Sequence, residues 1–284
     1  MAARSFLQGL VGVFGDPVAE NPTQAMLEPA FAAMGLDWRY LTVHVRPADL
    51  GDAVRGARAM GWQGFNCTIP HKEAVIAHLD ELTPAAELIG AVNCVVNRDG
   101  RLIGENTDGK GFLQAVEAVR PVAGLRAVIL GAGGAARAIA VELARAGASH
   151  LTIVNRTPRR GELLAGAIRE RTGVPAVSVP WEGRYAIPED ARLVVNATSI
   201  GLHPDDDAEV PLDLDTMRPE QLVCDVIPNP PRTRLLAAAE RAGCRTLDGL
   251  GMLVNQGVIG VRHWSGRDPD PAVMRAALEA VFNA

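Results

Sequence analysis

The chain has 284 residues, 48% of them hydrophobic and 21% charged, with a formal net charge of −5 and a pI of about 5.7. That length suits about two domains of roughly 150 residues each, and the apolar fraction suffices for sizeable cores. The acidic balance offers no basic face for nucleic acid, no apolar run approaches the ~18 residues of a membrane helix, and the N-terminal stretch lacks a signal-like apolar region with a cleavage site.

In chain order, 10–14, 38–45 and 64–69 read as strands, with helical patterns near 23–34, 47–60 and 70–79 between them. Strands at 91–97 and 101–106 flank Arg98-Asp99-Gly100, a hairpin turn, and a helix follows from about Gly109. Pro70 suits the first helical position, which sets Lys72 in a first turn, the end where a helix dipole disfavours a cation. A second series of strands runs through 125–130, 150–156, 175–179, 192–198, 222–227 and 244–249. The last forty residues read as helical, with Leu250, Leu253, Val254, Val258 and Val261 at helical spacing and a closing helix over 270–282. The alternation predicts an α/β fold with largely parallel sheets in two domains. Turn-rich stretches place the boundaries near 107–108 and 248–249. One domain is then 1–107 plus 249–284, and the other is 108–248. No internal repeat or low-complexity segment is present. Cysteines 67, 94, 224 and 244 form no CxxC pair and read as reduced thiols of a cytoplasmic protein. The six histidines are scattered, and no metal site is expected.

The most readable signal is VILGAGGAARAIAVELARAG. A buried strand (127–130) ends in Gly131-Ala132-Gly133-Gly134-Ala135-Ala136, and a helix then runs to about Ala146. This is the strand–turn–helix setting of a dinucleotide fingerprint with alanine at the third small position. Gly131 permits the tight turn, Gly133 lets the backbone approach a pyrophosphate, and the helix start supplies N–H donors. A glycine turn used only for helix–sheet packing has the same pattern. The next strand ends in Asn155-Arg156-Thr157 followed by Pro158, Arg159 and Arg160. No acid stands there for the ribose hydroxyls of NAD. Arg156 and Arg160 suit a 2′-phosphate, so NADP is expected, with NAD as the alternative.

Lys72, Asn93, Asp108 and Gln256 each have an ordinary reading alone: a solvated lysine, a satisfied strand asparagine, a helix N-cap and a polar residue on a helix side. Each also follows or interrupts an apolar stretch, where unpaired polar groups are costly. The chain resembles the shikimate dehydrogenases over nearly its full length. The resemblance rests on Asn66-Cys67-Thr68-Ile69-Pro70-His71-Lys72, Gly90-Ala91-Val92-Asn93, Asn106-Thr107-Asp108-Gly109 and Gly131-Ala132-Gly133-Gly134-Ala135. It continues through Asn155-Arg156-Thr157, Asn196-Ala197-Thr198-Ser199-Ile200-Gly201 and Asp248-Gly249 through Gln256.

The resemblance implies an N-terminal substrate-binding α/β domain and a Rossmann-type domain. It implies reversible hydride transfer between a nicotinamide cofactor and a ring carbon of a cyclic hydroxy acid, as in the shikimate pathway of aromatic amino acid biosynthesis. By the same resemblance Lys72 and Asp108 form the catalytic pair. Asn66, Thr68, Asn93 and Gln256 match substrate-binding positions. Gly131, Gly133, Gly134, Ala135, Asn155, Arg156, Thr157, Arg160, Asn196, Thr198, Ser199 and Gly249 fall on the cofactor side. The helix dipole would ease loss of the Lys72 proton, and Asp108 would favour the charged form.

Three positions depart from the family pattern. Members commonly carry a Ser-x-Ser or Ser-x-Thr pair for the substrate carboxylate, where this chain has Asn21 and Thr23, with Glu20 adding a negative charge. Pro228 replaces a usual tyrosine, and Cys94 a usual threonine. Quinate, an amino analogue or another hydroxylated ring carboxylate therefore stands beside shikimate as a substrate. The alternatives are an NAD-dependent quinate/shikimate dehydrogenase of catabolism and a non-catalytic cofactor-binding relative. A folate-linked dehydrogenase is more distant. A small-molecule ligand, no nucleic acid or membrane partner, and a monomer or homodimer are expected.

Overall fold

A computed structural model describes residues 6–282. The first compact unit comprises the described residues up to Thr107 together with those from Gly257 onward, and the second is Asp108–Gln256.

The first unit begins with strand β1 (Gly9–Gly15), helix α1 (Thr23–Ala33), β2 (Trp38–His44), α2 (Leu50–Ala59) and β3 (Gly64–Cys67). It continues through α3 (His71–Ala74), β4 (Glu81–Leu82), α4 (Pro84–Ile89), β5 (Cys94–Arg98) and β6 (Arg101–Glu105). The sheet order is β2-β1-β3-β5-β6-β4. β1 runs parallel to β2 and β3, and β5 is antiparallel to β3 and β6. The β5–β6 hairpin closes as expected, with φ of 52° at Asp99 and 87° at Gly100, the left-handed pair that matches strand twist.

The expected helix over 70–79 is shorter and broken. One α-turn, α3, passes directly into a 3-10 turn, Val75–His78. A single turn has little dipole, so the dipole argument for Lys72 loses most of its weight. The stretch Pro84–Ile89 carries recognisable ends. Thr83 Oγ1 accepts the Ala86 N–H at 3.3 Å, Pro84 takes the first position, and Gly90 closes the helix at φ 69°.

The second unit takes the chain through α5 (Thr107–Glu117), β7 (Arg126–Leu130), α6 (Gly134–Arg145), β8 (His150–Asn155), α7 (Pro158–Thr172) and β9 (Ala176–Pro180). A two-residue pair, β10 (Tyr185–Ala186) and β12 (Leu212–Asp213), brackets β11 (Leu193–Asn196). Then follow β13 (Leu222–Asp225), α8 (Arg234–Arg241), β14 (Arg245–Leu247) and α9 (Gly249–Ser265), which passes from the second unit to the first after Gln256; α10 (Pro271–Phe282) lies in the first unit. The second sheet is parallel throughout, in the order β14-β13-β11-β7-β8-β9. β11 and β13 are buried at every residue, as strands covered on both faces must be. Helix α5 starts at Thr107, two residues before the expected Gly109, because the Asn93 side chain accepts the Thr107 N–H at 2.7 Å. Asp108 therefore lies inside the first turn and is not its cap.

Candidate active site

The polar residues of the first unit are held by the ends of β1, β3 and β5. Thr68 donates its N–H to the Phe14 carbonyl at 3.0 Å, and Cys67 donates to the Asn93 carbonyl at 3.0 Å. Thr68 thus sits against Gly15, where any β-carbon would strike its methyl group. His71 is buried and has its Nε2 2.6 Å from the Val45 carbonyl, which accepts and so fixes the Nε2–H tautomer. The next residue, half-buried Lys72, accepts the Val92 N–H on its carbonyl at 2.7 Å. That bond places the lysine backbone beside Asn93.

A chain of side chains runs through this region, and its proton directions are forced. Asn66 Nδ2 donates to the Asn93 carbonyl at 2.9 Å, so Asn66 Oδ1 is the atom that accepts from Tyr40 Oη at 2.7 Å. Tyr40 is fully buried, and burial pushes its phenol well above the ordinary value, so it keeps its proton and donates it. The Thr23 side chain lies near the same phenol and opposes that shift. Asn21 Oδ1 meanwhile accepts the Thr23 N–H at 3.0 Å, which leaves Asn21 its amide N–H groups. At the other end, Asn93 Nδ2 donates to Thr107 Oγ1 at 3.0 Å, directly before Asp108. The sequence singled out Asn21, Thr23, Asn66, Thr68 and Asn93 but not Tyr40 and Thr107 as site residues, which bond Asn66 and Asn93. Tyr40 looks like any core aromatic in a strand; its role is legible only once β2 lies beside β1.

Asp108 and Gln256 belong to the second unit. Asp108 is buried in the first turn of α5. One helical turn later, at Gly111, a β-carbon would lie 2.6 Å from the Gln256 nitrogen, so α9 lies directly on α5 there. Asn255 Nδ2 donates to the Gly111 carbonyl at 3.1 Å, and Gln256 Nε2 donates to the Leu253 carbonyl at 2.9 Å.

The glycine turn between β7 and α6 has the shape that a dinucleotide needs. Gly131 has φ 108°, and a β-carbon there would meet the Ala197 carbonyl at 3.0 Å and Thr198 Cγ2 at 3.1 Å. Gly133 and Gly134 face open space, so nothing hinders approach of a phosphate to their backbone and to the start of α6 at Gly134 and Ala135. At the end of β8, Asn155 Nδ2 donates to the Thr157 carbonyl at 2.8 Å. Arg156, Arg159 and Arg160 are exposed there, and no acid stands among residues 155–160. This donor set fits a nucleotide bearing a 2′-phosphate.

The third rim of this site is the loop pair after β11 and β13. Asn196 Oδ1 accepts from Thr198 N–H at 3.2 Å and Thr198 Oγ1 at 2.7 Å. Asp225 at the end of β13 accepts from Asn196 Nδ2 at 3.1 Å, the Ile227 N–H at 3.2 Å and Thr233 Oγ1 at 2.8 Å. Burial pushes its carboxyl up to about 6 despite those three donors. Ser199 is exposed on the turn, and Gly249 opens α9 against the Val226 and Ile227 carbonyls. Among the described residues no cluster of three or more His, Cys, Asp or Glu could hold a metal, and no helix is long and apolar enough to cross a membrane.

Comparison with known proteins agrees with this division of labour. Residues 13–95 match the model of the shikimate dehydrogenase substrate binding domain, 114–198 that of shikimate / quinate 5-dehydrogenase, and 249–279 the shikimate 5′-dehydrogenase C-terminal domain. The shikimate dehydrogenase (NADP(+)) of Moorella thermoacetica is 47% identical over 97% of this chain and 94% of its own. Ligand-free 5-ketofructose reductase of Gluconobacter sp. strain CHM43 is 53% identical, covers 98% of this chain and 100% of its own, and superposes with a TM-score of 0.95. Shikimate 5-dehydrogenase of Thermus thermophilus, in complex with NADP(H) and shikimate, is 38% identical with a TM-score of 0.85 over 96% of this chain and 99% of its own. Glycine turn, basic β8 end and buried amide chain thus occur together in a sequence similar to such enzymes along nearly its whole length, and the chain belongs to the shikimate dehydrogenase family of NADP-linked oxidoreductases.

Proposed function

We propose that the protein interconverts a secondary alcohol and a ketone on a polyhydroxylated ring acid, with shikimate and 3-dehydroshikimate as the first pair to test and NADP(H) as the cofactor. The observation that carries this reading is that the Lys72 carbonyl holds the Val92 N–H, directly before Asn93, whose side chain bonds Thr107, directly before Asp108. The nicotinamide supplies the hydride when bound. Lys72 Nζ gives a proton to the ketone oxygen in reduction and takes it back from the alcohol in oxidation, with Asp108 as the second catalytic residue. Asn66, Thr68, Asn93 and Gln256 orient the substrate hydroxyls. Gly131, Gly133, Gly134 and Ala135 receive the pyrophosphate, Arg156 and Arg160 the 2′-phosphate, and Thr198, Ser199 and Gly249 border the rest of the cofactor. The substrate domain is residues 1–107 with the C-terminal helices, and the cofactor domain is 108–248.

A second reading has its own observation. Residues 16–23 carry Asp16 and Glu20 but no basic residue. A carboxylate is an acceptor and an anion, so this end of the pocket suits a neutral hydroxyl better. The 53% identity to a 5-ketofructose reductase points the same way. Initial rates decide between the two: shikimate and quinate oxidation with NADP and NAD, against 5-ketofructose reduction with NADPH and NADH, followed at the nicotinamide absorbance. Efficient shikimate turnover with NADP supports the first reading. Turnover of the keto sugar alone replaces it with the second, and silence on all substrates with cofactor bound overturns both.

A further inference from the structure

Asp225 carries a cost that the fold does not need. It is 2% exposed at the end of an apolar strand, and burial holds its carboxyl above the usual carboxylate range. A group whose folded value exceeds its unfolded one stabilises the fold less once it is ionised. The sign follows directly: between the ordinary 3.8 and about 6 the folded chain binds the extra proton, so stability falls as pH rises through that window. At neutral pH the protein therefore keeps a buried charge at the expense of stability.

That charge joins two loops that also share the Val226 N–H to Asn196 carbonyl bond of 3.1 Å and the His203 N–H to Asn229 carbonyl bond of 3.0 Å. On one side, Asn196 Nδ2 donates to Asp225 and also lies 3.4 Å from the Ile200 carbonyl, while Asn196 Oδ1 holds both donors of Thr198. Thr198 Oγ1 in turn accepts the Ile200 N–H at 3.1 Å. This turn is the wall against which Gly131 packs. On the other side, the Ile227 N–H and the Thr233 hydroxyl fix both ends of residues 226–233 on the same carboxylate. The Val226 and Ile227 carbonyls form the surface against which Gly249 packs.

We propose that Asp225 is a positioning residue for cofactor binding: its carboxylate ties the 196–200 turn to the 226–233 loop and so holds the spacing between the glycine turn at Gly131 and the start of α9 at Gly249. This rests on the cofactor role proposed above for those two rims. Ionisation matters because both oxygens accept; a proton on Oδ1 would displace the Asn196 or Ile227 donor, and a proton on Oδ2 would oppose the Thr233 hydroxyl. No other charge competes for the clamp. Arg232 pairs with Glu240 at 2.7 Å, Arg234 with Asp207 and Glu209, and the adjacent Cys224 thiol is pushed far up by burial and stays neutral. Asp248 accepts the Gly251 N–H at 3.1 Å within its own turn.

The test is calorimetric titration of NADP+ and of NAD+ into the full chain between pH 5 and 8, with the thermal midpoint read alongside. The 2′-phosphate has its own ionisation near pH 6, so NAD+ serves as the control that lacks it. Wild-type affinity for both cofactors is expected to fall as pH drops through about 6. Asp225→Asn keeps the size of the side chain but loses the charge, so at pH 7.5 it should bind each about 3- to 10-fold more weakly. Its NAD+ profile should be flat with pH, and its thermal midpoint equal to or above that of the wild type. Asn196→Ala removes the other half of the clamp and should cost a similar factor, with the double variant no worse than the weaker-binding single variant. Unchanged affinity in Asp225→Asn with a wild-type pH profile overturns the proposal. A lower midpoint with unchanged affinity does so as well, since it marks a purely structural role. If the wild type binds neither cofactor, the underlying cofactor reading fails instead.

Discussion

The turn after β1 and the turn after β7 both join a strand to a helix, yet they are built in opposite ways. The first is lined with side chains that are already engaged. Asn21 Oδ1 is committed to the Thr23 N–H, and Asp16 pairs with His44 at 2.8 Å. The second is bare backbone, with nothing within reach of a β-carbon at Gly133 or Gly134. Recognition by side chains carries substrate identity and is easily re-aimed by single substitutions. Recognition by backbone N–H groups carries a phosphate and tolerates almost no substitution that adds bulk. Of the departures from the family pattern, Glu20, Asn21 and Thr23 fall on the first turn, Cys94 and Pro228 lie elsewhere, and the glycine turn has none.

Substitutions can break this contrast. The largest effect is expected for Lys72→Ala, which should lower kcat about 10²- to 10⁴-fold while the calorimetric affinity for NADP+ stays put. Equal loss of turnover and cofactor affinity would remove Lys72 from the proton-transfer role. Next comes Gly131→Val. The left-handed φ of 108° and the nearby Ala197 carbonyl should cost about 10- to 100-fold in NADP+ affinity. Retention of wild-type affinity there would mean the backbone does not receive the pyrophosphate. Arg156→Ala should weaken NADP+ by about 10-fold and leave NAD+ unchanged, the cost of one charged hydrogen bond. A parallel loss for both nucleotides would place Arg156 on the adenine alone. The smallest effect is expected for Thr23→Val, about a 5-fold rise in KM with kcat retained, because one neutral hydrogen bond is lost. Thr23→Ser should behave as wild type, and a change in kcat would move Thr23 from substrate reading into the chemistry.

The same contrast sets what was legible in the sequence. The glycine turn, the β8 arginines and the alternation of strands and helices are local patterns, and the structure reproduces them with boundary shifts of up to about three residues, as at β5, which begins at Cys94 and not at 91. The Asp99-Gly100 hairpin was equally local. Tyr40 and Thr107 were not legible, since each acts through a partner distant in sequence: Tyr40 bonds Asn66, and Thr107 bonds Asn93. Asp225 was visible only as the end of an apolar run; its three donors come from residues 196, 227 and 233. The helix holding Lys72 misled in the other direction. Its pattern over 70–79 is helical, but the structure passes from α to 3-10 geometry after Ala74.

The way the chain threads its two units bears on how it is made. The second unit is one unbroken segment, Asp108–Gln256, whereas the first waits for its last piece. Gly257 packs against the methyl groups of Met26 and Met274, Trp264 donates its indole N–H to the Val95 carbonyl at 3.0 Å, and α10 lies along α1 with Met274 and Leu278 fully buried. During synthesis the nucleotide half can close while the ribosome still holds these residues. The N-terminal half, made first, keeps part of its core uncovered until these residues have emerged, and apolar surface left open in that interval is prone to misassembly.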